Sequence, residues 1–497
     1  MDSFTLNKKF IICILSGFLT GLSHHPLSMG FLSWFSLVPF FLALYSFTNY
    51  KRVIFASSLF GYTYTLTQIY WLAFNIGTTP TINKIILLST SLYLTLFHIL
   101  FGLCVFRAKN KSPWVGIWSI PFLWVSVEYI RSLGLLGFPW VSIGNSMTDF
   151  ILPIQIVEYT AIYGVSFWIV LINVSIVHWL KYRQNYNIII ILVTFSIPFM
   201  IGKYLIKNHL DYPNNSGINI TSIQPNIHLN DKHGVSPLEN VEKIISITNE
   251  YITDTTNLLV WPETAVNTFI NKNSRTEKIL KNFLNYKKFD LLTGFPESEK
   301  SERGNFYFNS IGQFDSNGLI ESYQKIHPVP VAEHIPLSSI FPSLKKINIG
   351  QANWEIGKNY TVFNTDNFLY SGVICYESTY PSLVRKFIKK GAQFLLVLVN
   401  DGWYETAPEP QQHANQSIFR AIENRRTIVR TANTGISMVI LPSGKIVERS
   451  LLNQKTGFTE KVYPNKDLTF YTKYGDIFCM IVLLISIFLI KLDFKKR

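Results

Sequence analysis

Charge is what this chain has least of. Asp, Glu, Lys and Arg make up 15% of its 497 residues, against about a quarter in an ordinary soluble domain, while apolar residues reach 48% and aromatic ones 15%. So little charge over so long a chain argues against a soluble enzyme and for a membrane class. Cysteine is equally scarce, at four residues, which excludes a disulfide framework. No spaced His and Cys cluster is present to suggest a metal site, and no Gly-rich phosphate loop follows a strand, so neither a metal nor any other cofactor is expected. A small-residue cleavage pattern is missing after the first apolar run, which is therefore expected to be retained as a helix and not removed as a signal peptide. Acidic residues are outnumbered, 31 to 45, leaving a formal charge of +14. A basic balance of that size would fit nucleic acid if it formed one patch, but much of it sits in short loops between apolar runs, where topology and anionic lipid account for it.

Eight stretches are apolar enough to be read as crossings of about 30 Å of hydrocarbon. They fall near 10–27, 29–48, 53–75, 85–106, 114–132, 150–180, 186–205 and 474–490. Basic residues resist translocation, so cytoplasmic loops should be rich in them. With Lys8 and Lys9 cytoplasmic, every second loop obeys: Lys51 and Arg52, then Arg107, Lys109 and Lys111, then Lys181 and Arg183, and finally Lys491, Lys495, Lys496 and Arg497. Lys84 and Arg131 run against the pattern. The expectation is a helical transmembrane bundle over 1–205, an extracytoplasmic domain over 206–470, and a last span with a cytoplasmic tail over 471–497. His24 and His25 are read as interfacial anchors. Glu128 and Arg131, one helical turn apart, are expected to satisfy each other. Trp114 and Trp140 are assigned to interface belt and core.

The stretch 206–470 lacks low complexity, repeats and long charge runs and reads as one mixed α/β domain. Ile218 to Ile223, Asn257 to Val260, Asn305 to Phe314, Leu319 to Gln324, Phe368 to Ile374 and Phe394 to Val399 have strand character, and Pro237 to Tyr251 and Gln411 to Glu423 have helical spacing. Asp315-Ser316-Asn317-Gly318 and Thr365-Asp366-Asn367 are hairpin turns by composition. Strands and helices mingled in this way point to helices covering packed sheets.

Cys13, Cys104 and Cys479 fall in the apolar stretches, which leaves Cys375 alone in the external domain. A single cysteine there is either a buried filler or a reactive thiol. It follows a strand and precedes a helix marked by Ser378 or Thr379 as cap, Pro381 in the first turn and Gly391 as stop. At such a corner the side chain projects past the sheet and the helix terminus favours the thiolate. Acyl transfer through the thiol would need a base and an oxyanion stabiliser, and Glu263 and Lys325, each at a predicted strand end, are the candidates. Taken singly, Glu263 and Lys325 read as solvated charges, and Glu333, Glu377 and Asn309 as partners of backbone amides.

Trp261-Pro262-Glu263-Thr264, Tyr323-Gln324-Lys325-Ile326-His327 and Ile374-Cys375-Tyr376-Glu377-Ser378, in that order, resemble the nitrilase superfamily. With the apolar stretches, and with the segment Val329 to Leu337, the chain resembles apolipoprotein N-acyltransferases over nearly its full length. Tyr307-Phe308-Asn309-Ser310, Asn400-Asp401-Gly402-Trp403, Arg430 to Gly435 and Gly137-Phe138-Pro139-Trp140 add to the likeness. The resemblance implies an α-β-β-α sandwich in the periplasm on an eight-span bundle of a bacterial inner membrane, both termini cytoplasmic, working as a monomer. It implies a ping-pong reaction. Cys375 takes the sn-1 acyl chain of a phospholipid, phosphatidylethanolamine in the first instance, and passes it to the amino terminus of a diacylglyceryl-cysteine apolipoprotein. Glu263 is the implied base and Lys325 the oxyanion stabiliser, helped by the amide of Tyr376, while Glu333, Tyr376, Glu377 and Asn309 are implied supporting residues. After Gln224-Pro225-Asn226-Ile227, where the family often has a tryptophan, this chain has His233.

Two other readings use the same residues differently. A membrane-anchored amidase would pass the thioester to water, but eight spans exceed what tethering needs. A transporter or receptor with a ligand-binding external domain would need no triad, and paired helix interruptions of the kind many transporters show are missing.

Overall fold

The computed structural model describes residues 5–26, 28–208, 216–228, 236–270, 274–287, 289–302, 304–335, 343, 354–365, 368–406 and 408–491. The chain forms two compact units. One gathers Met1–Asn75, Thr79–Asn208 and Tyr474–Arg497, the other Ile76–Thr78 and His209–Lys473.

The first unit is helical, because a run of apolar side chains buries its backbone polar groups at no cost only if the backbone satisfies them internally. It comprises α1 (Leu6–Leu22), α2 (Val38–Ser46), α3 (Tyr50–Gln68), α4 (Pro80–Lys111), α5 (Pro113–Arg131), α6 (Val157–Thr160), α7 (Ile162–Tyr182), α8 (Tyr186–Asn208) and a final helix, Ile477–Lys491. Among the described residues α4, α7 and α8 are long and apolar enough to cross a membrane, and Gly30–Ser46 and Ile477–Lys491 are shorter apolar helices. Three of the eight stretches are less regular than their hydropathy suggests: the third leaves α3 at Gln68 and ends as a 3-10 turn, Tyr70–Phe74. The second begins as a 3-10 turn, Gly30–Trp34, before α2. The sixth begins as short turns and α6, which ends where Ala161 takes φ 52.

One sequence expectation changes here. His24 is not an interfacial anchor: it is buried, with Nε2 3.1 Å from the Tyr64 hydroxyl, which donates to Val141 O at 2.9 Å. Glu128 and Arg131 pair as expected, both buried and 3.9 Å apart. Glu128 also accepts from Trp124 Nε1 at 2.9 Å on the same helix and from the backbone of Ile143 at 2.8 Å. Trp140 is core, and Trp114 is exposed.

The second unit holds β1 (Ile218–Gln224), α9 (Pro237–Tyr251), β2 (Leu258–Val260), α10 (Arg275–Lys287), β3 (Asp290–Ser301), β4 (Gly304–Asp315), β5 (Gly318–Gln324), β6 (Phe363–Thr365), β7 (Phe368–Ile374), α11 (Pro381–Lys389), β8 (Phe394–Val399), α12 (Glu409–Asn424), β9 (Ile428–Ala432), β10 (Met438–Ile440), β11 (Ile446–Arg449) and β12 (Thr456–Val462). They pair as two six-stranded sheets, β12-β1-β2-β3-β4-β5 and β11-β10-β9-β8-β7-β6. At the centre of each, three strands run parallel: β1, β2 and β3 in one, β7, β8 and β9 in the other. Parallel strands are covered on both faces, which is why β8 reads Phe-Leu-Leu-Val-Leu-Val and is buried throughout. Val241, Ile244 and Ile247 of α9 and Leu280, Phe283 and Leu284 of α10 pack on Leu259, Leu291 and Phe314 of the first sheet. On the second sheet α11 lies against β7 and α12 against β9. The sheets face each other through contacts such as the Ser222 and Thr431 hydroxyls, 2.8 Å apart. The domain is thus an α-β-β-α sandwich.

Turn chemistry is as expected at Asp315–Gly318, where Asp315 Oδ1 accepts from the amides of Asn317 and Gly318 and the glycine takes φ 121. In the second hairpin β6 pairs with β7, while Asp366 and Asn367 of its turn, and also His233, lie outside the described residues.

Candidate active site

Glu263, Lys325 and Cys375 each follow the last residue of a strand by at most a few positions: β2, β5 and β7. Trp261, fully buried with Nε1 donating to Thr248 Oγ1 at 2.9 Å, anchors the chain after β2. A Cβ on Gly294 of the neighbouring strand would lie 2.7 Å from the Glu263 Cα, so only glycine lets the Glu263 backbone settle there. The Glu263 carboxylate is buried and spoken for: Oε1 accepts from Asn309 Nδ2 at 2.8 Å and lies 3.5 Å from Lys325 Nζ, and Oε2 accepts from the Asn400 amide at 3.0 Å.

Lys325 Nζ is held between two carboxylates, with Glu333 Oε2 at 2.8 Å and Oε1 at 2.9 Å. The lysine backbone is clamped as well, donating to Asn309 O and accepting from the Gly357 amide. Glu333 Oε2 also accepts from the Val329 amide at 2.7 Å, and Asn309 Nδ2 reaches Glu333 Oε1 at 3.4 Å. Glu263, Lys325, Glu333 and Asn309 therefore form one buried cluster of two negative charges, one positive charge and an amide. Burial opposes the lysine's charge, but Glu333 and Glu263 more than restore it, so its pKa is pushed up. Burial raises the Glu263 pKa above the ordinary glutamate value; Lys325 lowers it and Glu333 raises it.

Cys375 sits at φ 51, a left-handed conformation that residues bearing a Cβ seldom adopt and that marks functional corners. Its thiol is pushed well above the ordinary value, first by burial and then by Glu263, with Lys325 pulling the other way. This corrects the sequence expectation of a helix terminus favouring the thiolate. The cysteine opens a 3-10 turn, Cys375–Thr379, and α11 begins only at Pro381, with Tyr380 and neither Ser378 nor Thr379 at its N-cap. Those two hydroxyls instead donate back into the turn, to Cys375 O and Tyr376 O. A resting thiol in this setting is protonated and needs a base.

Glu377 does not face the cysteine. One oxygen accepts from the Tyr323 hydroxyl at 2.6 Å and from the amides of Ile326 and His327 at 2.7 and 3.0 Å, and the other accepts from the Ile374 amide at 2.8 Å. It ties the strand that delivers Lys325 to the strand that delivers Cys375. Tyr376 is buried, edge-on to Tyr380 with ring centroids 5.3 Å apart.

Sequence reasoning assigned no role to Asp401, His413 or Arg430, although Asp401 and Arg430 lie in motifs that carry the family likeness. The structure brings Cys375, Asp401 and His413 together from three segments, with a ligand atom of each within 4.8 Å of the others. A thiol, a carboxylate and an imidazole are a donor set for a soft divalent cation. They are already committed otherwise: the Asp401 oxygens are taken by His413 Nδ1 and Arg430, each at 2.8 Å, and the guanidinium repels a cation. The motif asparagines have evident tasks too. Asn433 Nδ2 donates to Asn400 Oδ1 and to Ile227 O, steadying the amide that meets Glu263.

The fold and site define a nitrilase-like α/β domain carried by a chain with a large apolar helical unit. Residues 219–459 match the carbon-nitrogen hydrolase family, and residues 16–175 match the apolipoprotein N-acyltransferase N-terminal domain. Apolipoprotein N-acyltransferases of Chlorobaculum tepidum, Geobacter metallireducens and Thermotoga maritima are similar to it at 27%, 29% and 27% identity, over 95%, 95% and 98% of this chain and 94%, 92% and 95% of theirs. A solved Saccharomyces cerevisiae member of branch 10 of the nitrilase superfamily is 18% identical, covering 50% of this chain and 91% of that one, with a TM-score of 0.40. Over nearly its full length the chain is therefore similar to apolipoprotein N-acyltransferases.

Proposed function

We propose that this protein is an apolipoprotein N-acyltransferase of a bacterial inner membrane, crossing it eight times with both termini cytoplasmic and the catalytic domain in the periplasm. The observation that carries the mechanism is the buried Glu263–Lys325–Glu333–Asn309 cluster meeting the electrostatic surroundings of Cys375 at the strand ends. Because the thiol is held protonated, Glu263 is the base. It removes the proton as Cys375 Sγ bonds to the sn-1 ester carbonyl carbon of a phospholipid, phosphatidylethanolamine in our reading. Lys325, assisted by the Tyr376 amide, stabilises the oxyanion. The tetrahedral intermediate collapses by breaking the carbon–oxygen bond, Glu263 returns its proton to the departing alkoxide, and a lysophospholipid leaves behind a thioester. In the second half, the α-amine of a diacylglyceryl-cysteine apolipoprotein attacks that thioester. With an unperturbed pKa of about 8 the amine is mostly protonated at neutral pH, so it first gives one proton to solvent; as the free amine adds to the thioester carbonyl, Glu263 takes the second and delivers it to the Cys375 thiolate as the carbon–sulfur bond breaks. Glu333 keeps Lys325 charged and placed, Asn309 orients Glu263, and Glu377 fixes the turn.

The test is intact mass of the purified protein after incubation with phosphatidylethanolamine, for wild type and Cys375→Ala, followed by a diacylglyceryl peptide. A hydroxylamine-sensitive acyl adduct on wild type alone, discharged onto the peptide amine, is the expected result. An adduct that drains to free fatty acid in the presence of peptide would identify the amidase-like hydrolase, and folded wild type without an adduct would sink both.

A further inference from the structure

Cys375 itself takes a left-handed φ of 51, and its own peptide is held by groups the reaction does not use. His413 Nε2 lies 3.1 Å from the Cys375 carbonyl oxygen, and the Ser378 hydroxyl donates to the same oxygen at 2.8 Å. The ring and hydroxyl are 3.2 Å apart, so both flank one acceptor. The other ring nitrogen, Nδ1, lies 2.8 Å from Asp401 Oδ1, and Arg430 donates to Asp401 Oδ2 at 2.8 Å while its Nε donates to Ile436 O. His413, Ser378 and Arg430 are fully buried and Asp401 is 3% exposed, so the chain of contacts is dry. A Cβ on Gly435 would lie 2.4 Å from Asp401 Oδ2, which explains a glycine where the carboxylate needs room.

A carboxylate–imidazole couple beside a thiol is the arrangement that in other cysteine enzymes takes the thiol's proton. Here Nε2 faces the cysteine's own peptide carbonyl and Nδ1 faces the Asp401 carboxylate, so both contacts are made together by the doubly protonated ring, which burial and Arg430 oppose and Asp401 favours; Glu263 is the base of the proposed reaction. We propose that Asp401 and His413 are positioning residues: they hold the Cys375 peptide in its left-handed conformation, and so aim Sγ at the acyl carbonyl, without exchanging protons with it. This rests on the assignment of Cys375 as the nucleophile. It differs from a merely structural role in predicting that thiol reactivity falls while the fold and the thiol's acidity stay.

The experiment uses full-length protein in detergent, with two readouts: the rate of adduct formation from phosphatidylethanolamine, and the rate of Cys375 alkylation by iodoacetamide as a function of pH. His413→Phe keeps the ring volume and removes both nitrogens. We expect it to fold with a lower unfolding temperature, because Asp401 Oδ1 loses a buried partner, to form the adduct roughly a hundred-fold more slowly, the scale of an ångström's misplacement, with KM for lipid unchanged, and to be alkylated more slowly with an unmoved pH midpoint. His413→Gln, whose amide can again donate to the carbonyl, should recover most of both rates. Wild-type rates in folded His413→Phe would overturn the proposal, and a shifted alkylation midpoint would overturn it in favour of proton exchange. If His413→Phe does not fold, Asp401→Asn decides: loosened orientation should slow both rates about ten-fold, and unchanged rates would again overturn the idea. Wild type without a lipid adduct would remove the acyl-transfer reading and leave the alkylation comparison, which needs no lipid, to judge the positioning role.

Discussion

Lys325 owes its charge to its neighbours. Burial alone would strip the proton, and two carboxylates within 3.5 Å keep it. Replacing it by Met should leave Glu263 and Glu333 as a buried like-charged pair that must share a proton, and slow adduct formation by roughly 10²–10³, as losing an oxyanion donor does. Lys325→Arg should not rescue, because a planar fork cannot occupy the place of a compact ammonium. Both are read by the intact-mass assay. The acid limb of the acylation rate is the second residue-scale test. A base works ionised, and Glu263 has its pKa raised by burial, with Glu333 adding to the rise. The limb should therefore lie above an ordinary glutamate's, and Glu333→Gln, which removes a negative neighbour, should move it to lower pH even as it weakens the hold on Lys325. A limb that stays or rises in Glu333→Gln would contradict the assignment. Of the residues involved, the placement of Glu263, Lys325 and Cys375 was legible because each follows a run of strand character. His413 was not legible, because nothing in the spacing of a helical histidine reveals that it turns onto a carbonyl 38 residues away.

At the scale of elements, the turn after β7 decides how two sheets meet. Glu377 accepts four hydrogen bonds that join the end of β5 to the end of β7. Glu377→Gln turns acceptor capacity into an amide that faces donors, and should cost about 3 kcal/mol of stability, seen as a lower unfolding temperature, with acylation slowed because Lys325 and Cys375 lose their common tie. His327, on the same segment, stacks on Tyr380 with centroids 4.6 Å apart, and burial, with the Lys386 charge adding to it, holds its pKa down to about 4 from an ordinary histidine's 6.5. Its folded-state pKa is depressed, so the unfolded chain binds more protons between those values. The stability due to a neutral His327 is full above pH 6.5 and lost as pH falls toward 4, a swing of up to about 3 kcal/mol. His327→Phe should flatten the unfolding temperature over that window, and an unchanged slope would refute the assignment. Strands β7 and β8 and helix α9 were readable to the residue, since an apolar strand run and the helical spacing of apolar residues are local signals; the structure adds a capping box of Ser236 and Glu239 at the start of α9. The 3-10 turn at Cys375–Thr379 was not, because Ser378, Thr379 and Pro381 spell a helix start equally well, and the side chains' tertiary partners made the choice.

At the scale of the whole chain, the alternation of basic loops makes a topology that is directly testable. A reporter enzyme active only outside the cytoplasm should be active when fused after Lys207 and inactive when fused after Lys491; the reverse pattern would overturn the proposed orientation. The apolar runs announced helices in every one of the eight stretches, but their hydropathy did not disclose the 3-10 entry before α2 or the break at Ala161 before α7. Hydropathy averages over a window, whereas a break is made by one residue's φ.

What the sequence by itself determined is what local chemistry dictates: apolar runs must form helices, buried alternations must form strands, and Glu263, Lys325 and Cys375 must end up at strand termini. Only the tertiary structure decided what those termini face. The raised thiol, the lysine between two carboxylates and the Asp401–His413 hold on the Cys375 peptide depend on distances between segments far apart in the chain. Electrostatic energies and hydrogen bonds are set by such distances and by burial, and neither is a property of any single stretch of sequence.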